Sequence, residues 1–182
     1  MNNDLTTEFV TIIEKDAWML SILEAVKSLS LPDCWIGAGF VRNKIWDYKH
    51  NRTRTSLNDI DVIYFDENNA SRESDLLLEE KLSAMIPSVN WSVKNQVRMS
   101  IRNGHLPYKN CCEAISYWPE TATAIAVQLS SDNQIKIIAP YGLNDLFNLV
   151  VKPTPNFDLT TYRTRVTNKG WKNTWEKLFI EE

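Results

Sequence analysis

Histidine, cysteine and long apolar runs are scarce in this 182-residue chain. Its two histidines, His50 and His105, stand apart from any nucleophile pattern and read as surface residues rather than catalysts. Three cysteines, two of them adjacent at Cys111 and Cys112, do not make a disulfide framework, and no Cys/His spacing resembles a zinc site. The adjacent pair reads as buried and inert, and a reducing cytoplasm is the compartment that fits. No apolar run approaches the roughly 18 residues that read as a membrane span. The N-terminus MNNDLTTEFV is polar and acidic, unlike a signal peptide, so no membrane is expected among the partners. An excess of basic charge is missing too: 20 Lys and Arg against 23 Asp and Glu give a formal net charge of −3. That argues against nucleic acid as a partner while leaving room for a local basic patch around a phosphate.

What is present is the composition of an ordinary globular protein, 43% hydrophobic and 24% charged, with no internal repeat. One domain over residues 1–182 is expected, with a C-terminal helical extension at about 155–182. Apolar residues recur at helical spacing from Thr7 to Leu29, with Pro32 as a stop. CWIGAG reads as a short buried strand ending in a glycine turn, FVRNKIWDYKH as a helix, and DIDVIYFD as a buried strand. ESDLLLEEKLSAM is an amphipathic helix and NWSVKNQVRM a third strand leading into a turn or short helix. TAIAVQL and QIKIIAP make a hairpin around SSDN. GLNDLFNLVV is a short helix broken by Lys152-Pro153, and a last helix is interrupted at Gly170.

Two features carry chemistry. In LNDIDVIYFD, Asp59 and Asp61 project to one side of a strand while Ile60 points to the other. Like charges this close repel, and a cation between them offsets the cost. A lone Asp-x-Asp is more often a solvated strand edge, so a second signal must decide. WIGAG supplies it: a strand that ends as a helix begins leaves backbone N–H groups and the positive end of the helix dipole facing the turn Gly37-Ala38-Gly39, an anion site. Phosphate on one side and magnesium, with manganese as the alternative, on the other are the two halves of a nucleoside triphosphate site.

Those residues resemble the signature of the polymerase-beta-type nucleotidyltransferase superfamily, a glycine turn after the first strand and an Asp-x-Asp on the second. In order, WIGAGFVRN, NDIDVIYFD, WSVKNQVRM, WPETATAIAV and APYGLNDLF are similar to the motifs of a bacterial family of nucleotidyltransferase-like proteins of unestablished substrate. The resemblance implies an α+β fold, a mixed sheet flanked by helices. It implies that Asp59 and Asp61 bind magnesium and serve catalysis, and that Gly37 and Gly39 hold phosphates. A nucleoside monophosphate would then pass to a hydroxyl of a small-molecule or protein acceptor. Two departures stand out. Gly39 occupies the place where many members have serine, and NWSVKNQ contains no acid where active members keep a third carboxylate. Glu120 and Asp145 are the remaining candidates for it. The alternative is a catalytically inactive module that keeps the fold to bind a nucleotide or a protein.

Among the cations, Arg42 follows the glycine turn closely enough to reach a phosphate, and Lys94 sits in the stretch without an acid, where it can bind phosphate or stand in for a metal's charge. Arg52 and Arg54 are placed to close over a triphosphate, although such loop charges are more often solvated. Most of the seven tryptophans read as core, with Trp91, Trp118 and Tyr141 as candidates for stacking on a base.

Overall fold

The computed structural model describes residues 3–155 and 157–181; Met1, Asn2, Asn156 and Glu182, part of the expected domain and C-terminal extension, lie outside the described residues. The helix expected over 7–29 is two helices, α1 (Asn3–Glu14) and α2 (Ala17–Ser28). Asp16 explains the break: it takes an extended backbone, and its carboxylate accepts from the Met19 N–H at 3.1 Å as the N-cap of α2. The apolar spacing runs through the break because both helices bury it, Phe9, Ile12 and Ile13 on one and Met19, Ile22, Leu23 and Val26 on the other.

After β1 (Trp35–Gly37) come α3 (Gly39–Lys49), β2 (Ile60–Tyr64), α4 (Arg72–Met85), β3 (Trp91–Asn95), α5 (Gln96–Arg102) and α6 (Cys111–Ser116). The hairpin β4 (Ala126–Leu129) and β5 (Ile135–Ile138), α7 (Asn144–Phe147), β6 (Val150–Val151), α8 (Leu159–Lys169) and β7 (Phe179–Ile180) complete the chain. The main sheet has the order β3-β2-β1-β4-β5 and is mixed, β2 parallel to β3 and antiparallel to β1. The fold is α+β, a mixed sheet flanked by helices, as expected from the resemblance.

Strand alternation sorts the sheet into two faces. Ile36, Ile60, Val62, Tyr64, Val93 and Val127 join the large core with the apolar sides of α1, α2 and α3. Trp35, Ile63 and Ala126 point the other way, to a smaller cluster with Cys111 and Ile115 of α6. Because α6 covers only part of that second face, Ala38 after β1 and Asp61 on β2 line an open pocket there.

The C-terminal segment is not purely helical. Gly170, at φ 55°, ends α8 in the left-handed region as its interruption of the pattern implied. The chain then turns through Trp171 and Trp175, which pack edge-on to Trp46 with ring centres 5.5 and 5.1 Å away, before β7 pairs with β6. The Trp175 Nε1–H donates to the buried Asp47 at 2.9 Å, fastening this segment to α3.

Candidate active site

The strand-to-helix turn is built around a strained residue. Ala38 has φ 53° and ψ −124°, a conformation that favours glycine, and it begins α3 without a side-chain cap. The first α3 hydrogen bond runs from the Arg42 N–H to the Ala38 carbonyl, so the Gly39, Phe40 and Val41 amides lie ahead of the ladder. Gly37 is required for another reason. A Cβ there would lie 2.8 Å from the Trp118 ring and 3.0 Å from the Ile125 carbonyl oxygen, so the absent side chain lets Trp118 lie against the strand. Gly39 is not forced in this way, since its Cβ would meet Leu57 at 3.4 Å, with the Arg42 and Asn43 side chains farther off at 3.8 and 4.0 Å.

Asp61 lies opposite Gly37 on β1 and Ser92 on β3. Asp59, one residue ahead of β2, is exposed, and Asp61 is half-buried. Burial first, and then the neighbouring charge of Asp59, push the Asp61 carboxyl above its ordinary value, against the opposing pull of Lys94, the Ser92 hydroxyl and Arg42. The charge of Asp59 is thus felt at Asp61, although Asp61 lines the open pocket on the second sheet face and Asp59 is not among its lining residues. Their hard oxygen donors and their repulsion suit a divalent ion that takes its remaining ligands from water and phosphate. Among the described residues, no group of three or more His, Cys, Asp and Glu side chains is placed to hold a metal.

Neither third-carboxylate candidate joins the pair. Glu120 is fully buried and accepts from Arg165 Nε at 2.6 Å. Asp145 pairs with Lys152 at 3.1 Å and accepts from the Thr121 hydroxyl. What stands beside Asp61 is a cation: Lys94 Nζ lies 3.7 Å from Asp61 Oδ1 and donates to Ser92 Oγ at 2.5 Å.

One cavity of about 370 Å³ gathers Ala38, Asp61, Lys94, Thr123, Arg102 and Arg165. Arg42 lies beneath it. Its guanidinium donates to the Thr123 hydroxyl and to Asn43 Oδ1, both at 2.9 Å, and sits 5.0 and 4.6 Å from the ring centres of Trp46 and Trp171. Burial lowers its pKa to about 10, opposed by Glu120 and Asp61. Arg54 does not close over the site; it donates to Asp16 at 2.7 Å and lies 4.0 Å above Trp18. Arg98 pairs with Asp75, itself buried and accepting from the Tyr64 hydroxyl and the Asn95 N–H. Trp91 is core, Tyr141 donates to the Ser116 carbonyl, and only Trp118 of the proposed stacking residues lines the cavity. His50 accepts from the Lys177 N–H beyond the end of α3. Burial raises the Cys111 thiol, which is held against Asp33, and raises Cys112 as well, so both favour the protonated, unreactive form.

Sequence reasoning missed the wall formed by α6. Its signal was Asn-x-x-Glu: Asn110 accepts from the Glu113 N–H at 2.8 Å, and Glu113 accepts from the Lys109 N–H at 2.6 Å. Tyr108 and Tyr117, 5.4 Å apart and both beside His105, also line the cavity. Nothing local in the sequence announced them. Arg165, more than a hundred residues from the aspartates, was equally hidden.

No match was found among curated proteins. A solved structure described as revealing a CCA-adding enzyme head domain is 35% identical, covers 97% of this chain and 95% of its own, and superposes with a TM-score of 0.85. The Thermotoga maritima CCA-adding enzyme complexed with tRNA is 12% identical with a TM-score of 0.61, and a CCA-adding enzyme with CTP is 12% identical with a TM-score of 0.59. These two share the fold. This chain aligns with 94% and 97% of its own length but spans only 42% and 43% of theirs. The sequence matches the family described as Nucleotidyltransferase over residues 24–180, and the chain belongs to that family.

Proposed function

We propose that the protein transfers a nucleoside monophosphate from a nucleoside triphosphate to a hydroxyl of an acceptor. The observation that carries this reading is that the uncapped start of α3 and the Asp61 carboxylate face one cavity whose other charged residues are cations. Family membership and the fold shared with CCA-adding enzymes bound to ATP and CTP support it. Asp59 and Asp61 would hold magnesium, which supplies charge neutralisation on the phosphate oxygens. The amides of Gly39, Phe40 and Val41, with the helix dipole behind them, bind and orient the polyphosphate. Lys94 balances Asp61 and adds positive charge for phosphate. The acceptor oxygen forms a bond to the α-phosphorus, the bond to the bridging oxygen breaks, and pyrophosphate departs as the hydroxyl proton passes to solvent.

A second reading, a module that binds a nucleotide without turning it over, is favoured by one observation. Where a third carboxylate would complete the site, Ser92 and Lys94 stand instead. Incubation with each α-labelled triphosphate, magnesium and a panel of hydroxyl acceptors separates the two. Labelled product that vanishes in Asp59→Asn/Asp61→Asn supports transfer, and binding without product supports the module. Neither binding nor product with any of the four nucleotides sinks both.

A further inference from the structure

The cavity holds a cation that the resemblance does not assign. Arg165 comes from α8, is 31% exposed at its side chain, and lines the same cavity as Ala38, Asp61 and Lys94. Its Nε donates to Glu120 Oε1 at 2.6 Å, and Glu120 is completely buried. A guanidinium offers five N–H donors in a fixed fork. Nε is satisfied by Glu120, and among the described residues no acceptor holds the two terminal nitrogens.

The surroundings favour an anion at those nitrogens. Among the described residues Glu120 Oε2 has no hydrogen-bond partner, and the Glu120 charge acts on Arg42 as well as pairing with Arg165. Glu120 and Asp61 thus stand against four cations, Arg42, Arg165, Lys94 and Arg102, which leaves a positive surplus. Glu120 is itself fixed by its backbone, which bridges to Pro153, while the Thr121 N–H donates to the Lys152 carbonyl. Arg165 is oriented by a rigid partner, and its partly exposed side chain lines the cavity as well as a groove beside Thr161 and Lys169. An arginine held in this way suits phosphate oxygens, which match its planar fork.

We propose that Arg165 is a phosphate-binding residue of the nucleotide site and that buried Glu120 is its positioning residue, so that the C-terminal helix completes the polyphosphate pocket. This rests on the nucleotide-transfer reading above. It also gives Glu120 a role other than metal ligation.

The test is calorimetric titration with inorganic tripolyphosphate and magnesium, a probe without a base. The wild type should bind. Glu120→Gln/Arg165→Gln, which removes the buried charge together with its partner, should bind at least about tenfold more weakly, as expected for loss of a charge-assisted pair. Arg165→Lys, which keeps charge but not the fork, should lose about threefold or more, and Glu120→Gln alone should fall between wild type and the double variant. Arg163→Gln, which removes an exposed cation from the same helix, should bind as the wild type does. Wild-type affinity in the double variant overturns the proposal and leaves the function reading standing; if that variant does not melt cooperatively, wild-type affinity in Arg165→Lys overturns it. Tripolyphosphate failing to bind the wild type also overturns it, and failure of all four triphosphates as well overturns the function reading.

Discussion

Ala38 and Gly37 are neighbours with opposite demands. Ala38 holds a backbone conformation that costs a side-chain-bearing residue about 1–3 kcal/mol, whereas glycine adopts it freely at an unfolded-state entropy cost of about 0.4–1 kcal/mol. Ala38→Gly should therefore stabilise the protein by up to about 2.5 kcal/mol in urea unfolding. Gly37→Ala must push Trp118 or the Ile125 carbonyl aside and should destabilise by roughly 1–3 kcal/mol, the usual range for overpacking. The two substitutions exchange the same methyl group, so opposite signs would show that strain sits at Ala38 and close packing at Gly37. Equal signs would refute that division.

The junction of α1 and α2 depends on Asp16, which caps α2 and pairs with Lys44 and Arg54 at 2.8 and 2.7 Å. Burial opposes its ionisation, but the hydrogen bonds from Arg54, Lys44 and the Met19 amide hold its pKa near 2, below the ordinary 3.8. A folded-state value below the unfolded one contributes stability that is complete above about pH 4 and lost as the pH falls through about 2; the shift corresponds to about 2 kcal/mol. Urea unfolding between pH 5 and 2 should lose that amount, and Asp16→Asn should flatten the profile. The same residue shows where the sequence was legible and where it was not. The apolar spacing of 7–29 was visible, but a mid-pattern aspartate looks the same whether it is solvated or caps a helix, and its partners Lys44 and Arg54 lie far along the chain. The hairpin, β2 and the strand-turn-helix at WIGAG were readable because alternation, turn residues and glycine act locally. β6 and β7 were not, since two-residue strands carry no period of their own and exist only through each other.

Across the molecule, the site depends on the C-terminal segment. Trp171 and Trp175 pack on Trp46, Trp171 also faces Arg42 and Arg165, and Trp175 donates to Asp47, which in turn accepts from the Thr55 N–H and hydroxyl in the loop ahead of the aspartates. Trp175→Phe removes that donor from a buried carboxylate and should cost roughly 1–3 kcal/mol. A thermal melt reads this as a lower midpoint with a single transition; an unchanged midpoint would detach the segment from the fold's stability. The aspartate pair and the glycine turn could be found from sequence because each is a short local pattern. Lys94 was visible in the same way, in a stretch without an acid, whereas the approach of Arg165 to the cavity is a product of tertiary packing.

The most direct test is the melting temperature with a nucleoside triphosphate and magnesium, each alone and together. Ligand at a hundred times its dissociation constant adds about 2.7 kcal/mol, or roughly 5–10 °C for a chain of this size. The expected result is a rise of that order with both components, little with either alone, and none in Asp59→Asn/Asp61→Asn. An equal rise in that double variant, or no rise with any of the four nucleotides in the wild type, would contradict the account.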